Sequence, residues 1–264
     1  MKNASFAGAA LFALLIAVSI PLSAQTAADH ILRGDEAYAK FDDAKALEEY
    51  LTAVKLEPEN YEALWKTARA YFDLGDLMEP KDKNAVEEQR KLFTESYKNA
   101  RQAVRVNPDD TWGHFFFSAA QGKYVLTQGK KEQINASKNI KAEIEKAIEL
   151  DPENDFAYHA LGLWHRTMAE IGGAKRLFGG MIYGSIPKGS MEESEKFFKK
   201  AIEIRPEYTN HHLELGRTYL AIKNYDLAKQ EFQKTLELPV TTSKCSMNKK
   251  EAQVELDALK KKGK

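Results

Sequence analysis

Four short phrases with the same ending limit what this sequence can fold into. They are Lys55-Leu56-Glu57-Pro58, Arg105-Val106-Asn107-Pro108, Glu149-Leu150-Asp151-Pro152 and Glu203-Ile204-Arg205-Pro206. A proline pushes the residue before it out of the helical region, so each phrase closes a helix. In three of the four, acidic or amide residues follow (Glu59-Asn60, Asp109-Asp110, Glu153-Asn154), which are acceptors suited to starting the next helix. A fifth copy ends near Pro239. Counting back, Ala53, Ala103, Ala147 and Ala201 each stand five residues before the proline. Tyr50, Ala100, Ile144 and Phe198 stand eight before it. Counting forward, a second helix opens with Tyr61, Leu64 and Trp65, then with Trp112 and Phe115, with Phe156 and Tyr158, and with His212 and Leu213. Gly34, Gly162 and Gly216 occupy equivalent places inside helices.

These contents resemble the tetratricopeptide repeat, a helix–turn–helix of 34 residues. The last copy is the cleanest, with Leu215-Gly216, Tyr219, Ala228, Phe232 and Pro239 in order. The expected fold is all-α, a tetratricopeptide-like right-handed superhelix of about five helical hairpins with insertions and a C-terminal capping helix. The expected repeats run approximately 27–60, 61–110, 111–154, 155–208 and 209–240, with the cap at 247–261, in one domain spanning 25–264. The prolines are 50, 44 and 54 residues apart, so each hairpin from the second to the fourth carries an insert between its helices. Asp76–Ala85, with Pro80 and many charges, reads as loop leading into a longer helix, and Lys123–Ser137 as helix broken near Gly129. The insert 172–187 differs, because Leu177, Phe178, Met181, Ile182 and Tyr183 are too apolar for a free loop.

The first 24 residues stand apart. Lys2 precedes an apolar run from Ala7 to Ile20, and small residues follow at Ser23-Ala24, the pattern of a cleaved export signal. The expectation is an exported, periplasmic protein, with an uncleaved N-terminal anchor as the alternative. The run is shorter than the roughly 20 residues of a membrane helix. The chain contains one cysteine, Cys245, so it forms no intrachain disulfide. Formal charge is zero, and Lys and Glu alternate along helix faces, which excludes the clustered basic footprint of a nucleic-acid binder.

Three stretches resemble the regulator of microtubule dynamics family. They are Glu62–Ala70, then Ala142–Leu150, and above all Leu161-Gly162-Leu163-Trp164 followed by Ala169-Glu170, Leu177-Phe178, Pro187 and Met191–Ala201. The resemblance covers roughly Tyr61 to Pro239. It implies a helical repeat domain without enzyme activity and, in animal members, association with microtubules or membrane contact sites. Because the leader directs export, the fold is carried over and the microtubule role is not.

The residues offer no catalytic or metal motif. His211 and His212 point about 100° apart on a helix and cannot share one metal from one face, and His159 and His165 are poorly spaced. No His-Glu-x-x-His, cysteine pair, calcium loop or Gly-x-Ser-x-Gly is present, so no enzyme, metal site or cofactor is expected. In the resembled repeat, the first helix of each pair lines the concave face. That rule places Trp65, Arg69 and Phe72 there, then Trp112 and Phe115, then Phe156, His159, Leu163 and Arg166, then Leu213 and Arg217. An aromatic lining with a few arginines suits a protein or peptide partner carrying acids, which is the expected function. The alternative is a phospholipid or other apolar ligand in the same groove, with the 172–187 insert as lid. Two further arrangements compete with an open groove: the aromatic stripe as interhelix core, and the insert folded back to fill the groove.

Overall fold

The computed structural model describes residues 25–264, and the expected leader at 1–24 lies outside the described residues. The described residues form twelve helices and no strand. They are α1 (Ala27–Ala39), α2 (Asp43–Leu56), α3 (Tyr61–Leu77), α4 (Lys83–Val106), α5 (Thr111–Val125), α6 (Lys130–Leu150), α7 (Asp155–Glu170), α8 (Gly173–Tyr183), α9 (Met191–Ile204), α10 (Thr209–Ala221), α11 (Tyr225–Glu237) and α12 (Cys245–Lys261).

Each repeated proline phrase ends its helix in the same way. The residue before the proline leaves the helical region, with φ of −133° at Glu57, −138° at Asn107, −142° at Asp151 and −136° at Arg205. Its N–H still donates to the carbonyl of the alanine four residues back, at 2.9 Å to Ala53 and Ala103, 3.0 Å to Ala147 and 2.9 Å to Ala201. Those four alanines are fully buried. In three of the four, the next helix is then capped by a side chain, and α10, which follows Pro206, is not. Asn60 accepts from the Ala63 N–H at 3.0 Å, Asp110 from Trp112 at 3.0 Å, and Asn154 from Ala157 at 3.0 Å.

Five antiparallel pairs result: α1 with α2, α3 with α4, α5 with α6, α7 with α9, and α10 with α11. Each second helix also packs on the first helix of the following pair, and the first helices α1, α3, α5, α7 and α10 touch in succession. This is a tetratricopeptide-like superhelix with the first helices in its inner row. Within the pairs, volume is exchanged across one recurring contact. A Cβ added at Gly34 would stand 2.4 Å from the Tyr50 ring, at Gly162 3.0 Å from Phe198, and at Gly216 2.6 Å from Phe232. The same register carries Ala68 opposite Ala100 and Ser118 opposite Ile144. Where the first helix gives up its side chain, the second supplies an aromatic ring. Where it does not, the second supplies a smaller residue.

Two inserts lie as loop and helix break: residues 78–82 separate α3 from α4, and 126–129 separate α5 from α6. The apolar insert differs from both arrangements considered for it as groove filler or lid. Part of it is the helix α8, and Leu177, Phe178, Met181 and Ile182 on it are 62–70% exposed. Its neighbours are α6 and the end of α7, so it does not fill the groove. The reason is Arg176. Its guanidinium donates to the carbonyls of Met168, Ile171 and Pro187, at 3.0 Å for Ile171, and so ties α8 to the C-terminal end of α7. The helix α12 packs on α10 and α11 in the manner of a sixth first helix. Cys245 opens it and is fully buried.

Candidate functional site: the concave face

The inner row brings together residues that are far apart in sequence. Asp76, near the end of α3, accepts from Lys123 of α5 at 2.6 Å and from Lys244 beside α12. Glu79 accepts from Lys250 of α12 at 3.1 Å. Helices α3 and α12 belong to opposite ends of the stack, so these bonds can form only across the concave side. The superhelix therefore curls until its last helix meets its second repeat.

A second cluster lies on α7, α10 and α12. Glu214 accepts from Arg166 and, at 2.8 Å, from Arg217, while Arg166 also donates to the Glu214 carbonyl at 2.7 Å. Arg217 continues to Glu251 at 2.8 Å and Glu255 at 3.3 Å. Burial pushes the Glu214 carboxyl up, but the two guanidiniums outweigh it and hold it below the usual carboxylate range. Burial pulls the Lys123 and Lys244 ammonium groups down, against the carboxylates facing them. Burial raises Asp73, which accepts from the Tyr38 hydroxyl at 3.2 Å, to about 6.

Beside these charges two neutral imidazoles run between the Asp155 carboxylate and the Asn210 amide, and their protonation follows from the geometry. The carboxylate of Asp155 lies 2.9 Å from His211 Nε2, which therefore carries the proton. A neutral His211 then presents a bare Nδ1, which accepts from His159 Nδ1 at 2.9 Å. His159 Nε2 is in turn bare and accepts from the Asn210 amide at 3.3 Å. One more proton would set two N–H groups against each other. Burial already holds the His159 ring down to about 3 and His211 well below its ordinary value.

The expected groove residues divide between this polar network and the packing behind it. Arg69, His159, Arg166 and Arg217 belong to the network. The Arg69 guanidinium lies 3.7 Å from the centre of the Tyr38 ring and donates to the Tyr50 hydroxyl at 2.9 Å. Trp65, Trp112 and Phe156 form a continuous aromatic row, with centroids 5.3 Å apart for the first pair and 6.0 Å for the second. The row continues to Tyr208 at 5.2 Å. Phe115 and Leu213 are buried in the cores between repeats, Leu163 packs against the core around Phe198, and Phe72 tilts on Phe93 at 5.7 Å. The charged partners Asp73, Asp76, Lys123, Glu214, Lys244 and Glu251 were not singled out from sequence. Asp76 and Lys123 sit at the edges of inserts and Lys244 in a linker, and no periodicity marks them. Glu214 lies between the apolar Leu213 and Leu215, which is the one signal the sequence offered. Among the described residues, no group of three or more His, Cys, Asp or Glu is disposed to hold a metal ion.

Comparison with known proteins bears on this architecture. A tetratricopeptide-repeat protein of Thermus thermophilus superposes with a TM-score of 0.62 over 87% of this chain and all of its own, at 17% identity, which supports the fold alone. Regulator of microtubule dynamics protein 1 of Pongo abelii is 29% identical over 215 residues, covering 81% of this chain and 67% of its own length. The Mus musculus protein is 32% identical over 173 residues, covering 65% of this chain and 55% of its own length, so this chain spans only part of the relatives it matches. The model of the family described as regulator of microtubule dynamics protein 1-3 matches residues 30–260, from the first helix to the last. With that match reaching from α1 to α12, the chain belongs to the regulator of microtubule dynamics protein 1-3 family.

Proposed function

We propose that this protein is a non-catalytic, exported scaffold that receives a polypeptide segment of a partner along its concave face. One observation carries the reading. Charges of both signs, from Asp76, Lys123, Arg166, Glu214, Arg217 and Lys250, converge on that face from five helices, beside a row of aromatic rings. Such a lining matches a segment that offers carboxylates and cations in turn with apolar side chains between them. It matches an acyl chain poorly, because the aromatic rings spend their faces on one another. Export rests on the leader at 1–24, and the microtubule role in the relatives' names is left with them.

The test is site-specific photocrosslinking in the native host, with the probe placed at Phe72 or Lys123 inside and at Lys199 outside. Discrete protein adducts from the inner positions alone support the proposal. Adducts from Lys199 alone would place the partner on the other face. Discrete phospholipid masses on the purified protein, lost on denaturation, would favour the apolar ligand instead.

A further inference from the structure

Among the described residues, α8 is the one helix that carries a cluster of large apolar side chains turned away from the body of the protein. Leu177 is 65% exposed, Phe178 62%, Met181 69% and Ile182 70%. At about 100° per residue these four span an arc of about 140°, with the exposed Ala174 inside it and Lys175 at its edge. Arg176 and Gly179 point the other way. Arg176 is bound to the carbonyls that end α7, and a Cβ at Gly179 would meet Ile186 at 2.8 Å. The helix is thus fixed on its inner side and bare on its outer side. Elsewhere the exposed large apolar residues, such as Leu32, Val86 and Val254, are scattered. A clustered apolar face of this kind marks an interaction surface.

The charge around it identifies the occupant. From Ile171 to Gly189 the sequence holds Lys175, Arg176 and Lys188 and no acidic residue, although the chain as a whole has 39 acids against 39 bases. Lys175 and Lys188 are both exposed. A short helix with a bare apolar arc, a cation at its rim and no carboxylate is the pattern of a segment lying in a lipid interface, its lysines reaching up to anionic headgroups. No described helix is long and apolar enough to cross a membrane, so α8 would rest in the surface and not span it. We propose that α8 docks this protein on an anionic bilayer surface, with Leu177, Phe178, Met181 and Ile182 inserted and Lys175 and Lys188 against the headgroups. This surface is separate from the concave face, so docking would hold the scaffold on a membrane without occupying its groove.

The experiment uses the full chain carrying F178C, with an environment-sensitive fluorophore at that position. The native cysteine is fully buried, which directs labelling to the new site. Vesicles are phosphatidylcholine alone, or phosphatidylcholine and phosphatidylglycerol in equal parts. A matching probe at V254C on α12 reports general adsorption, including any through residues 1–24. The expected result is a blue-shifted, brighter signal at position 178 with anionic vesicles only, little change at position 254, and a loss of roughly tenfold in apparent vesicle affinity at position 178 when M181D and I182D are added. Equal responses at positions 178 and 254, or with the two vesicle types, would overturn the proposal. No response to either vesicle would overturn it as well and would leave the helix to a protein partner.

Discussion

Gly216 leaves 2.6 Å between the position a Cβ would take and the Phe232 ring, and Phe232 is fully buried. Two effects of Gly216→Ala compete. Alanine gains about 1 kcal/mol of helix propensity, and overpacking a closed core costs about 1–3 kcal/mol. The ring is fully buried and has to displace its neighbours to give way, so the cost wins, and the variant is expected to melt a few degrees lower in calorimetry. Adding Phe232→Leu makes room and should return part of the loss. If the single variant melts higher than wild type, the close approach is not what holds the fifth hairpin together. The same exchange explains why Tyr50, Phe198 and Phe232 recur in one register while Ala100 and Ile144 break it. The pattern is legible in sequence as a spacing, but which partner each glycine admits is settled by contact.

At the scale of single elements, Asp76 and Arg176 hold helices in place by different means. The Asp76 carboxylate stands between two ammonium groups, from Lys123 and Lys244. Asp76→Asn leaves both cations facing each other on the concave side, at a cost of about 1–3 kcal/mol. Urea unfolding should show the loss, and amide exchange should quicken first at the start of α12. Unchanged exchange there would mean the α3–α12 contact does not close the superhelix. Arg176→Ala removes two carbonyl contacts at the end of α7 and a third at Pro187. Because α8 touches little else, exchange in α8 should rise sharply while the melting temperature of the whole protein barely moves. The apolar character of the 172–187 insert was evident from its residues. Its outward orientation was not, because that depends on where Arg176 finds its acceptors.

For the whole molecule, acid should unfold the protein through its histidines. The folded values of His159 and His211 both lie below the ordinary value of 6.5, and at His159, held down to about 3, the unfolded chain binds more protons between about 3 and 6.5. Their contribution to stability is complete above pH 6.5 and falls as the pH drops through that window. Asp73 opposes them. Its folded value is raised from 3.8 to about 6, so the folded protein binds the extra proton, and stability from this group falls as the pH rises through that range. Arg69 and Lys244 limit that rise, whereas Asp43 adds to it. The histidine displacement is the larger and acts at two residues, so net stability should decline from pH 6.5 to 4. His159→Gln should flatten that decline in chemical-denaturation curves. Asp73→Asn should stabilise the protein at pH 7 and steepen the decline. A decline unchanged by His159→Gln would remove the Asn210–His159–His211–Asp155 chain as its cause.

The sequence by itself determined the helices of the five hairpins and the ends of the four that close on a proline phrase. These follow from local chemistry: a proline that bars the helical region to its neighbour, a capping side chain within three residues, and apolar residues at helical spacing. It also put three rings on inner helices, Trp112 and Phe156 at the second position of α5 and α7 and Trp65 at the fifth of α3, while their stacking into one row is a matter of contact. Only the tertiary structure decided what those rows enclose. The curl of the stack is the sum of small rotations between repeats, and no one segment encodes it. That sum sets Asp76 beside Lys244, while contacts between neighbouring elements join His159 to His211 and hold α8 on the outside with its apolar face bare.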